Sequence, residues 1–227
     1  MIVITGASKG IGKYLFNSFL NNSSESVIGT YLNTKPETNL ENYVHLDVCN
    51  WDQVNKFVSD KKDAFSNITL INCAGISYTS YTHKSDPEAW KKVIETNLFG
   101  TYNLIRALLP IMRDQKYGRV INFASVVAVK PTPGISAYAA SKSALWGMAK
   151  SLAIENASLN ITINNINLGY SELGMISTVP DQYKQKIIAE IPAGILCEPG
   201  DILKTVEYLR DTRYITGASL DVSGGLV

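Results

Sequence analysis

The segment Ile2-Val3-Ile4-Thr5-Gly6-Ala7-Ser8-Lys9-Gly10-Ile11-Gly12 decides the fold. A short apolar strand runs straight into a glycine turn, and the spacing of Tyr14, Leu15, Phe19 and Leu20 beyond it predicts a helix. Glycines in such a turn let the backbone approach a phosphate group, which then rests on the positive N-terminus of the helix. The spacing is G-x-x-x-G-x-G, distinct from the general G-x-G-x-x-G fingerprint. Gly6, Ser8, Lys9, Gly10, Ile11 and Gly12 are therefore candidate cofactor contacts, with a glycine-rich loop that binds nothing as the plainer alternative.

Residues 27–31 (Val27-Ile28-Gly29-Thr30-Tyr31) read as a second strand, ending where a dinucleotide fold places the residue that reads the adenosine ribose. No acid stands there. Glu25 lies before the strand and Glu37 well past it, while the loop offers Asn33, Thr34 and Lys35 and the first turn offers Lys9. An acid would hold a ribose hydroxyl of NAD and repel a 2′-phosphate, whereas polar and cationic groups accept that phosphate. Tyr31 and Asn33 join the candidate contacts, and NADP(H) is favoured over NAD(H). Solvated surface lysines are the simpler account of Lys9 and Lys35.

Strands and helices go on alternating. Residues 43–46 read as a strand leading to Asp47-Val48, and 51–65 carry helical spacing through Val54, Phe57 and Val58. Residues 68–71 form a strand followed by Asn72-Cys73-Ala74-Gly75, whose small residues allow close backbone approach. One long helix is expected over 87–113, with Pro87 in its first turn and Asn97 in its middle as a kink, a polar contact or a packed amide. A strand over 119–124 delivers Ser125 at its carboxyl end, where ligands sit in open α/β sheets. After a loop with Pro131, Pro133 and Gly134 come a helix from Ser136 to about 157 and a strand over 161–167. Residues 169–193, containing an amphipathic piece over 183–191, read as a lid; a helix with Ile202, Val206 and Leu209 and a strand over 218–222 follow. The alternation of strands and helices is that of an α/β chain.

Ser125 stands thirteen positions before Tyr138, and Lys142 four after it. Positions i and i+4 of a helix share a face, so the phenol and the ammonium can converge on one bound molecule. Such a trio suits reduction of a carbonyl: hydride arriving at carbon leaves a negative oxygen that needs a proton donor, Tyr138, and a hydrogen-bond partner, Ser125. A free tyrosine titrates near about 10, and the ammonium of Lys142 is expected to lower that value and improve the acid at neutral pH. An ordinary amphipathic pair with a snorkelling lysine is the alternative for Tyr-x-x-x-Lys alone.

At 227 residues, with 45% hydrophobic and 18% charged content, the chain has the make-up of one soluble domain spanning 1–227. Twenty-one Lys and Arg against twenty Asp and Glu leave a net charge of +1, which gives no field for nucleic acid or an anionic membrane. No basic leader precedes Ile2, and no run reaches the about 18 apolar residues of a membrane span, so a cytoplasmic location is expected. Cys49, Cys73 and Cys197 are odd in number and without paired spacing, which suits reduced thiols and neither a disulfide framework nor a metal site.

Taken in order, Thr5-Gly6-Ala7-Ser8-Lys9-Gly10-Ile11-Gly12, Asp47-Val48, Asn72-Cys73-Ala74-Gly75, Asn97, Ser125 and Tyr138 with Lys142 resemble the short-chain dehydrogenase/reductase family over nearly the whole chain. The resemblance implies a single Rossmann-type domain with a doubly wound seven-stranded parallel sheet and helices on both faces, a nicotinamide cofactor, and homotetramers or homodimers built on the two long helices carrying Asn97 and Tyr138. It implies that Tyr138 is the acid/base, that Ser125 orients the carbonyl, and that Lys142 holds the nicotinamide ribose and lowers the tyrosine pKa. Asn97 would position a water in a proton relay. Asp47 and Val48 would meet the adenine, and Asn72, Ala74 and Gly75 would line the adenosine side.

Within the family, Gly29-Thr30, Glu95-Thr96-Asn97-Leu98, Ile191-Pro192-Ala193-Gly194, Ile215-Thr216-Gly217 and Val222-Ser223-Gly224-Gly225 are similar to the bacterial 3-oxoacyl-[acyl-carrier-protein] reductases. That likeness implies a 3-oxoacyl thioester, small or bound to an acyl carrier protein met through basic residues; Lys116 keeps one such position and the other falls near Leu159. Another carbonyl, such as a sugar or secondary-metabolite intermediate, is the alternative substrate, and a retired nucleotide-binding scaffold the alternative class. Two departures stand out. Leu168-Gly169 replaces the family's Pro-Gly and Leu173 its threonine, with Gly169 kept as a candidate cofactor contact and Ser171 or Thr178 as candidates to compensate.

Overall fold

The computed structural model describes residues 1–22, 24–174, 176 and 179–227. Its strands are β1 (Ile2–Thr5), β2 (Val27–Tyr31), β3 (Tyr43–His45), β4 (Thr69–Asn72), β5 (Gly118–Ser125), β6 (Ile161–Leu168) and β7 (Ser219–Val222). All pair in parallel, in the order β3-β2-β1-β4-β5-β6-β7. The order reverses between β1 and β4, which opens a crevice at the carboxyl ends of those two strands.

Alternation along each strand feeds two cores. Val3, Leu70, Val120 and Ile163 pack on one face with Leu104 and Leu108, while Ile4, Ile71, Ile121 and Ile166 pack on the other with Leu15, Phe16 and Val206. The covering helices are α1 (Gly10–Asn22), α2 (Trp51–Asp60), α3 (Pro87–Ile94), α4 (Gly100–Gln115), α5 (Ser136–Asn156), α6 (Asp181–Glu190) and α7 (Pro199–Asp211). Strands covered on both sides explain the near-continuous apolar runs of the sequence.

The helix expected over 87–113 is divided. α3 starts at an Asp86 cap that accepts from Glu88 N at 3.0 Å, and α4 ends at Lys116 in the left-handed region. Between them Glu95–Phe99 form one π-helical turn. Such a turn re-aims side chains within a helix, here at Asn97.

β5 and β6 are buried at every position, yet they carry Asn122, Asn164, Asn165 and Asn167. The amides pair sideways across the sheet: Asn72 Nδ2 donates to Asn122 Oδ1 at 2.9 Å, and Asn122 Nδ2 to Asn165 Oδ1 at 3.0 Å. Asn165 Nδ2 donates onward to Ser219 Oγ at 3.0 Å and to the Leu145 carbonyl at 3.3 Å. Register makes the row possible, since Asn72, Asn122, Asn165 and Ser219 are successive Cα partners. Asn72 Oδ1, at the β4 end, has no partner among the described residues.

Beyond β6 lies the stretch 169–193, read from the sequence as a lid. α6 belongs to it, a bridge joins Ser171 to Cys197, and Ile176, Ile191 and Leu196 make a small core of its own. Its Gly174, at φ +87°, sits on the glycine turn: a Cβ on Gly10 would lie 3.4 Å from Gly174 Cα. No helix among the described residues is long and apolar enough to cross a membrane.

Candidate active site

β5 ends at Ser125, and α5 brings Tyr138 and Lys142 to it across the loop with Pro131 and Pro133. Ser125 and Lys142 are buried, at 8% and 6% exposure, and Tyr138 is half-buried. Ser125 stands beside the Tyr138 phenol, close enough to pull its titration down. The Lys142 ammonium lies 5.6 Å from the centre of the Tyr138 ring. The three groups therefore meet, as the sequence predicts.

Their electrostatics differ from expectation. Burial, rather than Lys142, dominates Tyr138: it pushes the phenol up, with the Ser125 hydrogen bond pulling the other way. Burial also pushes Lys142 down to about 8. The amine donates to the Phe123 carbonyl at 2.6 Å.

Asn97 is buried and its amide is fully engaged. Oδ1 accepts from Ile76 N and Nδ2 donates to Ile76 O, both at 2.9 Å, and Nδ2 also donates to Ser141 Oγ at 3.0 Å. Ser141 in turn donates to the Tyr138 carbonyl at 2.8 Å. Asn97 thus ties the loop after Gly75 to the helix of Tyr138. A Cβ on Gly75 would stand 3.2 Å from Asn97 Oδ1 and 3.7 Å from Lys142 Nζ, so only a glycine leaves that corner open. Sequence reasoning missed Ser141, whose signal was its place beside Lys142.

The glycine turn lies at the crevice between β1 and β4. A Cβ on Gly6 would come 2.8 Å from Ala74 Cα, and one on Gly12 would meet the Gly6 carbonyl. Thr5 Oγ1 accepts from Cys73 N and Ala74 N at 3.1 and 3.0 Å, joining the turn to the Asn72–Gly75 loop. Backbone lies against backbone here, and Gly10 and Gly12 bring no side chain to the first turn of α1, where a phosphate can approach. Ser8 and Ile11 are half-exposed within that turn.

At the end of β2, Tyr31 is edge-on to Tyr43 and His45, with centroids 6.4 and 5.3 Å away. Asn33 and Lys35 in the loop that follows, and Lys9 in the glycine turn, are exposed. Glu25 is engaged at the other end of β2, 3.6 Å from Arg210. Asp47 holds its own loop by accepting from Cys49 N at 2.9 Å, and Val48 is buried against Gly100. At the departure from the family pattern, Leu168 extends β6 by one residue, pairing with both Ser125 and Val222. Gly169 follows, its N–H donating to the Val222 carbonyl at 2.9 Å. Ser171 is buried and donates to the Leu173 carbonyl at 2.8 Å, while Thr178 lies outside the described residues.

The family description "short chain dehydrogenase" matches residues 1–184. The chain belongs to this family. It is 34% identical to the 3-oxoacyl-[acyl-carrier-protein] reductase FabG of Haemophilus influenzae, over 99% of this chain and 96% of that protein. It is 33% identical to the acetoacetyl-CoA reductase of Rhizobium meliloti, over 98% of this chain and 96% of that one. The solved aldohexose dehydrogenase of Thermoplasma acidophilum superposes with a TM-score of 0.90 at 28% identity, covering 99% of this chain and 92% of that one. A short-chain dehydrogenase is an oxidoreductase that works with a nicotinamide cofactor. The glycine cradle, the open corner at Gly75 and the small residues of the Asn72–Gly75 loop fit such a group.

Proposed function

We propose that the chain is an NADPH-dependent reductase that converts the ketone of a 3-oxoacyl thioester to a secondary alcohol, with residues 1–227 forming one domain around one cleft. The observation that carries this reading is that the Ser125 hydroxyl and the Tyr138 phenol meet, with the Lys142 ammonium 5.6 Å from the centre of the phenol ring. When bound, the reduced nicotinamide supplies hydride. Ser125 then holds the carbonyl oxygen, and Tyr138 delivers the proton as negative charge develops there, a contribution of the order of 10²–10⁴-fold. Lys142 keeps positive charge beside the phenol and holds the ribose. The Asn97 amide is spent on Ile76 and Ser141, so its part in a water relay falls to its main-chain carbonyl, which already accepts from Thr101 Oγ1 at 2.9 Å.

Gly6, Ser8, Lys9, Gly10, Ile11 and Gly12 would cradle the phosphates, Asp47 and Val48 the adenine, and Asn72, Ala74, Gly75 and Gly169 the remaining walls. The lack of a carboxylate at Tyr31, with Asn33 and Lys9 nearby, supports NADP(H) over NAD(H). Exposed Phe99 and Tyr102 near the start of α4 and Ile154 on α5 support a homodimer or homotetramer built on those helices. Lys116, exposed at the end of α4, is the contact proposed for an acyl carrier protein. A cytoplasmic location goes with these roles.

The test follows the nicotinamide absorbance: loss of NADPH or NADH against acetoacetyl-CoA, a carrier-bound 3-oxoacyl chain and a panel of ketones, and reduction of NADP+ or NAD+ against a panel of aldoses. Turnover of the thioesters and a lower dissociation constant for NADPH are expected. The likeness in fold to an aldohexose dehydrogenase favours a sugar as the second reading; oxidation of aldoses without thioester turnover would decide for it. Tight nucleotide binding with no turnover would leave a scaffold.

A further inference from the structure

The loop 47–50, past the end of β3, is held from two sides. From within, Asp47 accepts from Cys49 N at 2.9 Å, donates its N–H to Gln53 Oε1 at 3.1 Å and accepts from Asn50 N at 3.0 Å. From outside, half-buried Asn103 on α4 donates Nδ2 to the Val48 carbonyl at 2.9 Å and to the Cys49 carbonyl at 3.5 Å. Gly100, a turn earlier, is in contact with Val48: a Cβ there would stand 2.5 Å from Val48 Cγ2. Thr96, in the π-helical turn, meets Cys49 Sγ at 3.7 Å.

Positions 96, 100 and 103 share one helix face. The loop carbonyls lie beyond the ladder of β3, so they need a donor from elsewhere, and one amide on α4 meets both. A glycine at 100 is the only residue that lets Val48 sink to its present depth, at 7% exposure.

We infer that Asn103 and Gly100 are positioning residues for the adenine half of the cofactor, acting through Val48: Asn103 fixes the Val48 main chain and Gly100 sets the depth of its side chain. This rests on the proposed reading of Asp47 and Val48 as the adenine wall. The π-helical turn leading into α4 carries Asn97, so the loop at Val48 and the loop after Gly75 are both held from one run of helix.

The test separates the two halves of the cofactor. Titration calorimetry measures binding of an adenosine fragment, whichever of 5′-AMP and 2′,5′-ADP the wild type holds more tightly, and of reduced nicotinamide mononucleotide. Asn103→Leu keeps the volume and removes the donor; it is expected to bind the adenosine fragment about tenfold more weakly and the nicotinamide fragment unchanged to within about twofold. Asn103→Gln restores part of the loss, and Gly100→Ala, which carries the test should Asn103→Leu not fold, weakens the adenosine fragment alone. Equal adenosine-fragment affinity in wild type and variants overturns the inference. So does a matched loss for both fragments, which marks a purely structural role. A wild type that binds neither fragment sinks the cofactor reading itself, and this inference with it.

Discussion

The ammonium of Lys142 donates to the carbonyl of Phe123 at 2.6 Å while standing 5.6 Å from the centre of the Tyr138 ring. Phe123 lies two residues before Ser125 on β5, so one strand presents the hydroxyl and anchors the amine. α5 adds the phenol from above. The geometry proposed for catalysis is thus a strand-to-helix register, and it is tested by changing its members one at a time.

Tyr138→Phe removes the proton donor and leaves the ring in place. Turnover of the best substrate should fall by about 10²–10⁴-fold, with the dissociation constant for the cofactor little changed. Steady-state kinetics together with fluorescence titration check this. A variant retaining more than about a tenth of wild-type turnover would remove Tyr138 from the reaction.

Burial depresses Lys142 to about 8, whereas an unfolded lysine titrates near about 10.4. The folded protein binds this proton more weakly than the unfolded chain, so stability rises with pH across that interval. Below it both states are charged and the buried charge costs its full amount, of order 1–3 kcal/mol after the bond to Phe123 is set against it. Lys142→Met should therefore be inactive yet melt higher than wild type at neutral pH, with the gap closing above about pH 10. Thermal melts across pH read this directly, and a lower melting point at neutral pH contradicts it.

Glycines offer a paired contrast. Gly6, at φ +63°, would put a Cβ 2.8 Å from Ala74 Cα, whereas Gly147 in α5 has open space around its added carbon. Gly6→Ala should cost roughly 2–4 kcal/mol from strain and backbone displacement and abolish nucleotide binding. Gly147→Ala should stabilise by about 0.5–1 kcal/mol through helix propensity. Urea unfolding of both variants checks the signs.

Arg119, at the start of β5, is 5% exposed and donates to the carbonyls of Arg210, Gly118 and Asn160 at 2.8 Å each. It lies roughly 20 Å along the strand from Ser125. Arg119→Met leaves three carbonyls without their donor and should lose roughly 2–4 kcal/mol of stability, with kinetics at low temperature unaltered. A kinetic defect in folded variant protein would refute that separation.

Apolar runs bounded by glycine and proline made every strand and most helices legible, because strands covered on both faces leave little room for polar residues. The π-helical turn was half visible: Asn97 is a poor mid-helix residue, but nothing in 87–113 announces five residues with a different hydrogen-bond pattern. The asparagines of β6 argue against a strand by propensity, and only lateral pairing with β5 and β7 explains them. The convergence of Ser125, Tyr138 and Lys142 was legible by spacing. Ser141, Gly100 and Asn103 were not, because their roles depend on contacts between segments far apart in the chain. The phenol's shift was misjudged because burial depth cannot be read from a list of neighbours.

One end of the asparagine row touches a backbone oxygen, and an oxygen of that kind can only receive. Asn165 must therefore turn its NH₂ toward α5, which obliges Asn122 to offer its NH₂ to Asn165, and Asn72 to do the same for Asn122. A carbonyl of the helix that carries Tyr138 thereby dictates which way every dipole in the row points. The orientation of the unpartnered Asn72 oxygen on β4 is thus chosen two strands away, at β6.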